Sequence, residues 1–454
     1  MNRTTTLLGL LGAFAVAGCG GGGDTAPSSS ASTGSSMSNG PGGSGGAGGA
    51  GATSSPSASS TAAGGSGPTT TGGGGSGLEP GARVDAPLGA DGWVRIPGVA
   101  YGGGPSGVAV DAAGNVVVAG SVCGAIDFGA GNLGAGADCA VQSAFVAKYS
   151  PSGQLLWAKA FENHTQYVVD DVPMVAGLAL DAAGDVFFAG SANGGIDFGQ
   201  GELGGAYVVK LDPDGHTLFS EGFDQNGEAG VLAMAATPGG GVAVAGHFAD
   251  HITVGGNEVF SDPNGGEAVF VAELDASGAA IWADAFTASH GGMGDTDAPI
   301  VWPESIAVDA TGAVALSGIY TQTIDFGTGA LPYASPAADD VFAFVAKLDG
   351  SGAPVFALPL EANMNAPVGA NPQSLAFDGA GALYWSGTFQ GDTQGGPISM
   401  LSNGSLLGNT FVVKMDVAGA VAWAEDLETQ DTPSNAVGNA GGLAVDAAGD
   451  VFVA

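Results

Sequence analysis

Large apolar residues along this chain come in short runs broken by Asp, Asn, Gly and Pro, and both the runs and the breaks recur. The first run is Gly107-Val108-Ala109-Val110, followed by the break Asp111-Ala112-Ala113-Gly114 and a second run, Val116-Val117-Val118-Ala119-Gly120. A segment holding Ile126-Asp127-Phe128-Gly129 comes next, then Ala144-Phe145-Val146-Ala147-Lys148, another break, and Leu155-Leu156-Trp157. The glycine of the first break returns at Gly184, Gly240, Gly312, Gly381 and Gly449, after 70, 56, 72, 69 and 68 residues. Repeats of this length predict stacked or radially arranged units. Runs rich in Val, Phe and Ile between turn residues predict strands, and no stretch of the repeats keeps a helical period. In the second copy the four strands are expected at 177–180, 186–189, 207–211 and 217–219.

The breaks are of two kinds. Between strands one and two, and again between three and four, stand four-residue turns such as Asp181-Ala182-Ala183-Gly184 and Asp212-Pro213-Asp214-Gly215. In these an Asp side chain can bond the turn backbone while Gly takes the left-handed position, which predicts tight hairpins. The links between strands two and three, and from one repeat to the next, are long and expected to be irregular. Two hairpins at one end and long links at the other predict a four-stranded β-propeller blade. The fold class is therefore all-β, a propeller of at least six blades with the last incomplete in this chain. Blades are expected at about 107–161, 177–223, 231–286, 305–360 and 374–427, with a partial one at 442–454. Gly92-Trp93-Val94-Arg95-Ile96 reads as an outer strand, so 92–97 is expected to close the last blade, and the chain is expected to continue past Ala454. Function is expected on the long links.

The phrases Gly-Val-Ala-Val-Asp-Ala-Ala-Gly-Asn-Val-Val-Val-Ala-Gly at Gly107–Gly120 and Phe-Val-Ala-Lys-Leu-Asp at Phe344–Asp349 resemble β-propeller repeats of the SBBP and NHL type, over about residues 93–454. The resemblance implies the fold and names no ligand, because such propellers host many activities. Trp157, Trp282 and Trp423, replaced by Phe219 and Phe356 in the other copies, resemble the blade-docking tryptophans of quinoprotein propellers. An aromatic there packs the next blade and needs no cofactor.

The N-terminus changes the picture from a free domain to an anchored one. Arg3, the apolar run Leu7–Ala17 and the small residues after it form an export signal too short to span a bilayer. Val16-Ala17-Gly18-Cys19 resembles a bacterial lipobox, which implies a signal peptide at 1–18 and lipidation of Cys19, with several acyl chains holding the protein at a membrane. Gly20 resembles the pattern of outer-membrane or surface lipoproteins, so a cell-envelope location is expected. Residues 19–82 are mostly Gly, Ser, Ala, Thr and Pro, a composition that predicts a disordered tether of roughly 45 Å root-mean-square span. The repeat domain is expected over 83–454.

The net charge of −36, from 8 Lys and Arg against 44 Asp and Glu, argues against nucleic acid or anionic lipid bound through charge. Contact with a membrane is expected through the lipid anchor only. Besides Cys19, the exported chain holds Cys123 and Cys139, an expected disulfide.

Candidate chemistry is sparse. The acid clusters Asp170-Asp171, Asp295-Thr296-Asp297 and Asp339-Asp340 fall on long links and are weak candidates for Ca²⁺, with solvated surface the default reading. Asp212-Pro213-Asp214-Gly215 opens like a calcium loop but lacks the later glutamate, so a hairpin is expected. His247 and His251 are four apart, on strand and loop and not on a helix, without the glutamate of a metalloprotease. The triplets Asp127-Phe128-Gly129, Asp197-Phe198-Gly199 and Asp325-Phe326-Gly327 stand at one place in the repeat and are expected to be turns with Phe tucked between blades. The lysines of the third strand, Lys148, Lys210, Lys347 and Lys414, with Glu273 in the odd copy, are expected either in a repeated salt bridge or as snorkelling stems. No catalytic residue and no firm cofactor emerge. The reading is an envelope lipoprotein whose propeller binds or scaffolds an unidentified protein or polysaccharide through its long links. The alternatives are an extracellular lyase or hydrolase, metal-dependent or not, acting on a polymer, and a structural envelope component.

Overall fold

The computed structural model describes residues 83–84, 94–95, 98–99, 102–134, 142–163, 175–223, 229–254, 257–261, 267–289, 300–331, 341–360, 370–389, 398, 409–427, 442–446 and 449–453. All of them belong to one compact unit containing 78–454; a second unit, 15–77, has no described residue. The signal peptide, the tether, Cys19, Cys139 and the acids Asp170, Asp171, Asp295, Asp297, Asp339 and Asp340 lie outside the described residues.

The protein is all-β, with no helix among the described residues. Five antiparallel sheets follow one another along the chain, and in each the strands lie in sequence order. The first sheet comprises Gly102–Val110, Val116–Cys123, Gln142–Tyr149 and Leu155–Glu162. The second comprises Gly177–Leu180, Val186–Asp197, Glu202–Leu211 and Thr217–Gly222. Ala229–Ala236, Val242–Phe248, Ala268–Leu274 and Ala280–Ser289 form the third. The fourth holds Val301–Val308, Val314–Tyr320, Phe342–Leu348 and Pro354–Leu360. The fifth holds Ala370–Phe377, Leu383–Phe389, Asn409–Met415 and Val421–Leu427. A sixth pair, Leu443–Val445 with Val451–Val453, repeats the first two strands.

Hydrophobic cores lie between successive sheets. Ala243, Ala245, Val269 and Val271 of the third pack on Val314, Leu316 and Phe344 of the fourth. Val242, Val244, Phe270 and Ala272, their strand neighbours, pack instead on Phe187, Ala189 and Val208 of the second. A strand covered on both faces carries apolar residues at consecutive positions, which is why the runs do not alternate. The first strand of each sheet lies against the first strand of the next.

The first strands of the first, third, fourth and fifth sheets each carry one extra residue. The ladder shifts between Pro105 and Gly107, Val231 and Ala233, Pro303 and Ser305, and Pro372 and Ser374. This bulge folds the carbonyl before it over the facing second strand, where a Cβ on Gly120, Gly246, Gly318 or Gly387 would stand 2.0–2.4 Å from that oxygen. Only glycine fits, and Phe145, Phe270, Phe344 and Phe411, paired opposite, cover the bare backbone.

One expectation needs correcting. In the second sheet the link between strands two and three is ordered β-structure, Val186–Asp197 pairing with Glu202–Leu211 across the turn 198–201. In the third sheet His251–Val254 pairs with Asn257–Phe260 as a hairpin of its own. Val94–Arg95, within the segment 92–97, pairs with Arg83–Val84, and Val451–Val453 pairs with Leu443–Val445 as the second strand of its repeat.

Candidate functional site

At the hairpin end of the sheets, every turn closes in the same way. The amide of the fourth residue donates to the first carbonyl, and the amide of the first donates to the carbonyl of the fifth, from Asp111 to Asp446. The turn glycines hold φ between 77° and 91°, a region closed to most side chains. The aspartate side chain adds two bonds: Asp111 Oδ1 accepts from the amides of Ala113 and Asn115 at 3.0 and 2.8 Å. Asp212 does the same with Asp214 and His216 and takes the His216 ring on its other oxygen, so this carboxylate is spent inside a hairpin.

The second oxygen of the first-turn aspartate faces the third-strand lysine. Lys148 stands 3.1 Å from Asp111, Lys210 3.0 Å from Asp181, Lys347 3.1 Å from Asp309 and Lys414 3.3 Å from Asp378. Burial by itself would raise the Asp309 carboxyl, but hydrogen bonds from Thr311, Lys347 and the turn amides outweigh it and hold the group below its ordinary value. Burial opposes the charge on Lys210 as well, and Asp181 with Asp185 raises it above the usual ammonium value. The third sheet departs from the pattern at both positions together: Thr237 replaces the aspartate, Glu273 replaces the lysine, and Glu273 accepts from Trp282 Nε1 at 3.0 Å.

Sheet-to-sheet docking also sits at this end. The fourth-strand aromatic of one sheet rests on the second-hairpin glycine of the next: Trp157 on Gly215, Phe219 on Gly278, Trp282 on Gly352 and Phe356 on Gly419. Trp157 Nε1 also donates to the Pro213 carbonyl at 3.0 Å. These aromatics are structural, as their position in the repeat predicts.

In the link between strands two and three, the Asp-Phe-Gly triplets extend to Asp-Phe-Gly-x-Gly and form turns, and Thr217 Oγ1, at the start of the fourth strand, donates to the Phe198 carbonyl at 2.6 Å. Asp127, Asp197 and Asp325 each accept the amides of both glycines at 2.7 and 3.0 Å. Phe198 lies 5.1 Å, ring to ring, from Phe161 of the preceding sheet, and Phe326 lies 4.9 Å from Phe286. Thr323–Ile324 adds to the outer edge of the third sheet through Ser289 and Ala288, covering an edge that would otherwise stay open. The second and third of these motifs are therefore clamps between sheets, whereas Phe128 packs on Phe145 of its own sheet.

One group at the link end belongs to no repeated device. On the third sheet His247 lies near the end of the second strand and Glu267 precedes the third; Trp302 lies at the start of the first strand of the fourth sheet. Trp302 Nε1 donates to Glu267 Oε2 at 2.5 Å, and the indole leans against the His247 ring with centroids 5.6 Å apart. Burial lowers the basicity of His247, opposed in part by the Glu267 charge. Two residues beyond Trp302, the extra residue of the bulge is Glu304. Burial pushes its carboxyl up to about 7, and it has no hydrogen-bond or ionic partner among the described residues. On the neighbouring first strand Gln373 holds the same bulge position, and its Oε1 is enclosed without a donor among the described residues. Ser305 Oγ ties the two strands by accepting the Leu375 amide at 3.1 Å.

Of the residues singled out from the sequence, the structure describes Cys123, which is disulfide-bonded to a partner outside the described residues. The His247 ring leans on Trp302, and the His251 ring pairs with Asp250 at 3.0 Å and stacks on Phe260. Among the described residues no group of His, Cys, Asp or Glu is arranged to hold a metal ion. Glu267, Trp302 and Glu304 were not foreseen. The signal that could have found them is their departure from the repeat. Other copies carry Gly104 or Asn371 in the place of Trp302, and Ser106 or Gln373 in that of Glu304.

No family model matches this chain, and no curated protein matches it. Among solved structures it is similar to a polysaccharide lyase of a new family, an ulvan lyase bound to -[GlcA(1-4)Rha3S]-, at 9% identity and a TM-score of 0.31, covering 69% of this chain and 76% of that one. It is also similar to a eukaryotic initiation factor at 10% identity and a TM-score of 0.22, covering 71% and 88% of the two chains. Sqt1 from Chaetomium thermophilum matches at 12% identity and a TM-score of 0.22, covering 60% and 75%. Likeness at this level assigns no activity.

Proposed function

We propose that this chain is a cell-envelope lipoprotein, held by an acylated Cys19 and a Gly- and Ser-rich tether, whose sheets form a β-propeller that binds or scaffolds through the end carrying the long links. Support for the propeller comes from first strands that adjoin one another sheet after sheet, with all tight hairpins at the same end. Support for binding at the opposite end comes from one observation above all. The lysines and first-turn aspartates at the hairpin end are spent on each other, whereas Glu304, on the strand that starts at the link end, is half-buried with no partner among the described residues.

Two measurements test this. Cys19→Ala should move the protein from the membrane fraction of its host to the soluble fraction and abolish incorporation of labelled palmitate; a variant that stays membrane-bound refutes the anchor. The purified full-length mature protein should capture a component of the host's own envelope fractions, and failure to retain any component refutes the binding role.

A second reading, an extracellular lyase or hydrolase acting on a polymer, has Glu304 in its favour. A carboxyl titrating near neutrality is suited to move a proton between a substrate oxygen and water. Turnover of an envelope polymer, lost in Glu304→Gln while capture persists, would establish it over simple binding.

A further inference from the structure

Because the ladders put the sheets in register, each position at the link end can be compared across copies. Where His247 stands, pairing opposite Gly230 and Val269, the other sheets carry Ser121, Ser191, Ile319 and Thr388. Trp302 occupies the place of Gly104, Gly230 and Asn371, and Glu304 that of Ser106, Leu232 and Gln373. Glu267, two residues before Val269, corresponds to Gln142, two before Ala144. A residue required by the frame recurs in the frame, as Gly120, Gly246, Gly318 and Gly387 do. Four departures on adjoining strands of two sheets are therefore not demanded by the fold, and three of the four touch one another.

We propose that the junction of the third and fourth sheets, formed by His247, Glu267, Trp302 and Glu304, is a binding site for a neutral saccharide unit of an envelope polymer. The proposal rests on the binding role given above and names its ligand class. All four residues keep part of their surface open to solvent. The Glu267 carboxylate fixes the indole in one orientation, which leaves a rigid apolar ring against which the C–H face of a pyranose can lie. The imidazole beside it and, two residues further along the same strand, the Glu304 carboxyl, without a partner among the described residues, offer donor and acceptor groups, the combination a hydroxyl needs since it both gives and accepts. The site contains no Lys or Arg, and the chain carries a net charge of −36, so uronate or sulfated units are repelled. A carboxyl that burial pushes up to about 7 is ionised in only about half of the molecules at neutrality, which weakens it as a seat for a cation.

The test uses the full-length mature protein with cello-, malto- and xylo-oligosaccharides, and with oligogalacturonate as the charged control, in isothermal titration. At least one neutral oligosaccharide should bind, and oligogalacturonate should not. Trp302→Ala should weaken the binding at least tenfold, and Glu304→Gln, which keeps the shape of the side chain, about threefold to tenfold. Thermal unfolding of Glu304→Gln at or above the parent's temperature separates lost contact from lost fold. Neutral sugars that bind both variants as they bind the parent overturn this site and leave the binding role standing. Preference for oligogalacturonate, or no binding to any neutral member while envelope capture persists, overturns the ligand class alone. Loss of envelope capture in the parent protein overturns the binding role itself.

Discussion

At the hairpin end four of the five sheets make the same Asp–Lys contact, whereas at the link end the junction of the third and fourth sheets has side chains found at no other junction among the described residues. Lys347 and Asp309, both nearly buried, satisfy each other inside a turn whose amides bond the same carboxylate. Glu304, midway along the strand that leads to Asp309, has a carboxyl of the same chemistry and no partner among the described residues. The two acids are shifted in opposite directions for one physical reason. Burial raises both, and only Asp309 has donors enough to reverse it. A repeated fold thus separates its tasks: positions that recur hold the sheets together, and positions that differ are free to meet something else.

The comparison is broken most severely by Asp309→Ala. It leaves Lys347 buried without its counter-charge and should cost about 3 kcal/mol or more in urea unfolding at pH 7. The Asp309 carboxyl is held below its unfolded value, so its contribution is present above about pH 4 and is lost as pH falls through the lowered folded value. The difference between variant and parent should accordingly shrink in acid. A difference that stays constant to pH 2 would show that the ion pair is not its source.

Gly352→Ala should cost about 3 kcal/mol, since the residue sits at φ 86° and its Cβ would lie 2.9 Å from the Trp282 ring. Both terms act at the docking contact between sheets. A loss below about 1 kcal/mol would mean that the aromatic is not held by the hairpin.

Glu304→Gln should act with the opposite sign. The folded carboxyl titrates near 7, above its unfolded value, so the parent is fully favoured below about pH 4 and loses that advantage as pH rises through 7. The variant should be more stable than the parent at pH 8, by about 2 kcal/mol once partial exposure is allowed for, and nearly equal at pH 4. Equal stabilities at both pH values would remove the contrast with Asp309. The smallest effect belongs to Ser305→Ala, which deletes the acceptor of the Leu375 amide and should cost about 1 kcal/mol. No loss there would show that hydrophobic packing alone joins the fourth and fifth sheets at the link end.

Much of the architecture was legible in the sequence because it rests on local rules repeated many times. Asp-Ala-Ala-Gly dictates its own hairpin, since the carboxylate reaches amides two and four residues on and the glycine supplies the positive φ. Lys148 and Trp157 announced themselves by recurrence, and a recurring residue meets a recurring neighbour. The ordered β-structure inside the second-to-third links was less visible. Asp197-Phe198-Gly199-Gln200-Gly201 is held as a turn partly because Phe198 finds Phe161 of another sheet to pack against.

The group at the third and fourth sheets was not legible. His247, Glu267 and Trp302 lie far apart in the chain, and each by itself is an ordinary residue of a strand or its end. Sequence alone determined the period, the strands, the hairpins and the acidic balance, because these follow from residues within a few positions of one another. Tertiary structure decided which side chains meet across a sheet junction, and whether a carboxyl there finds donors or only burial, because both depend on strands that the chain reaches by long links.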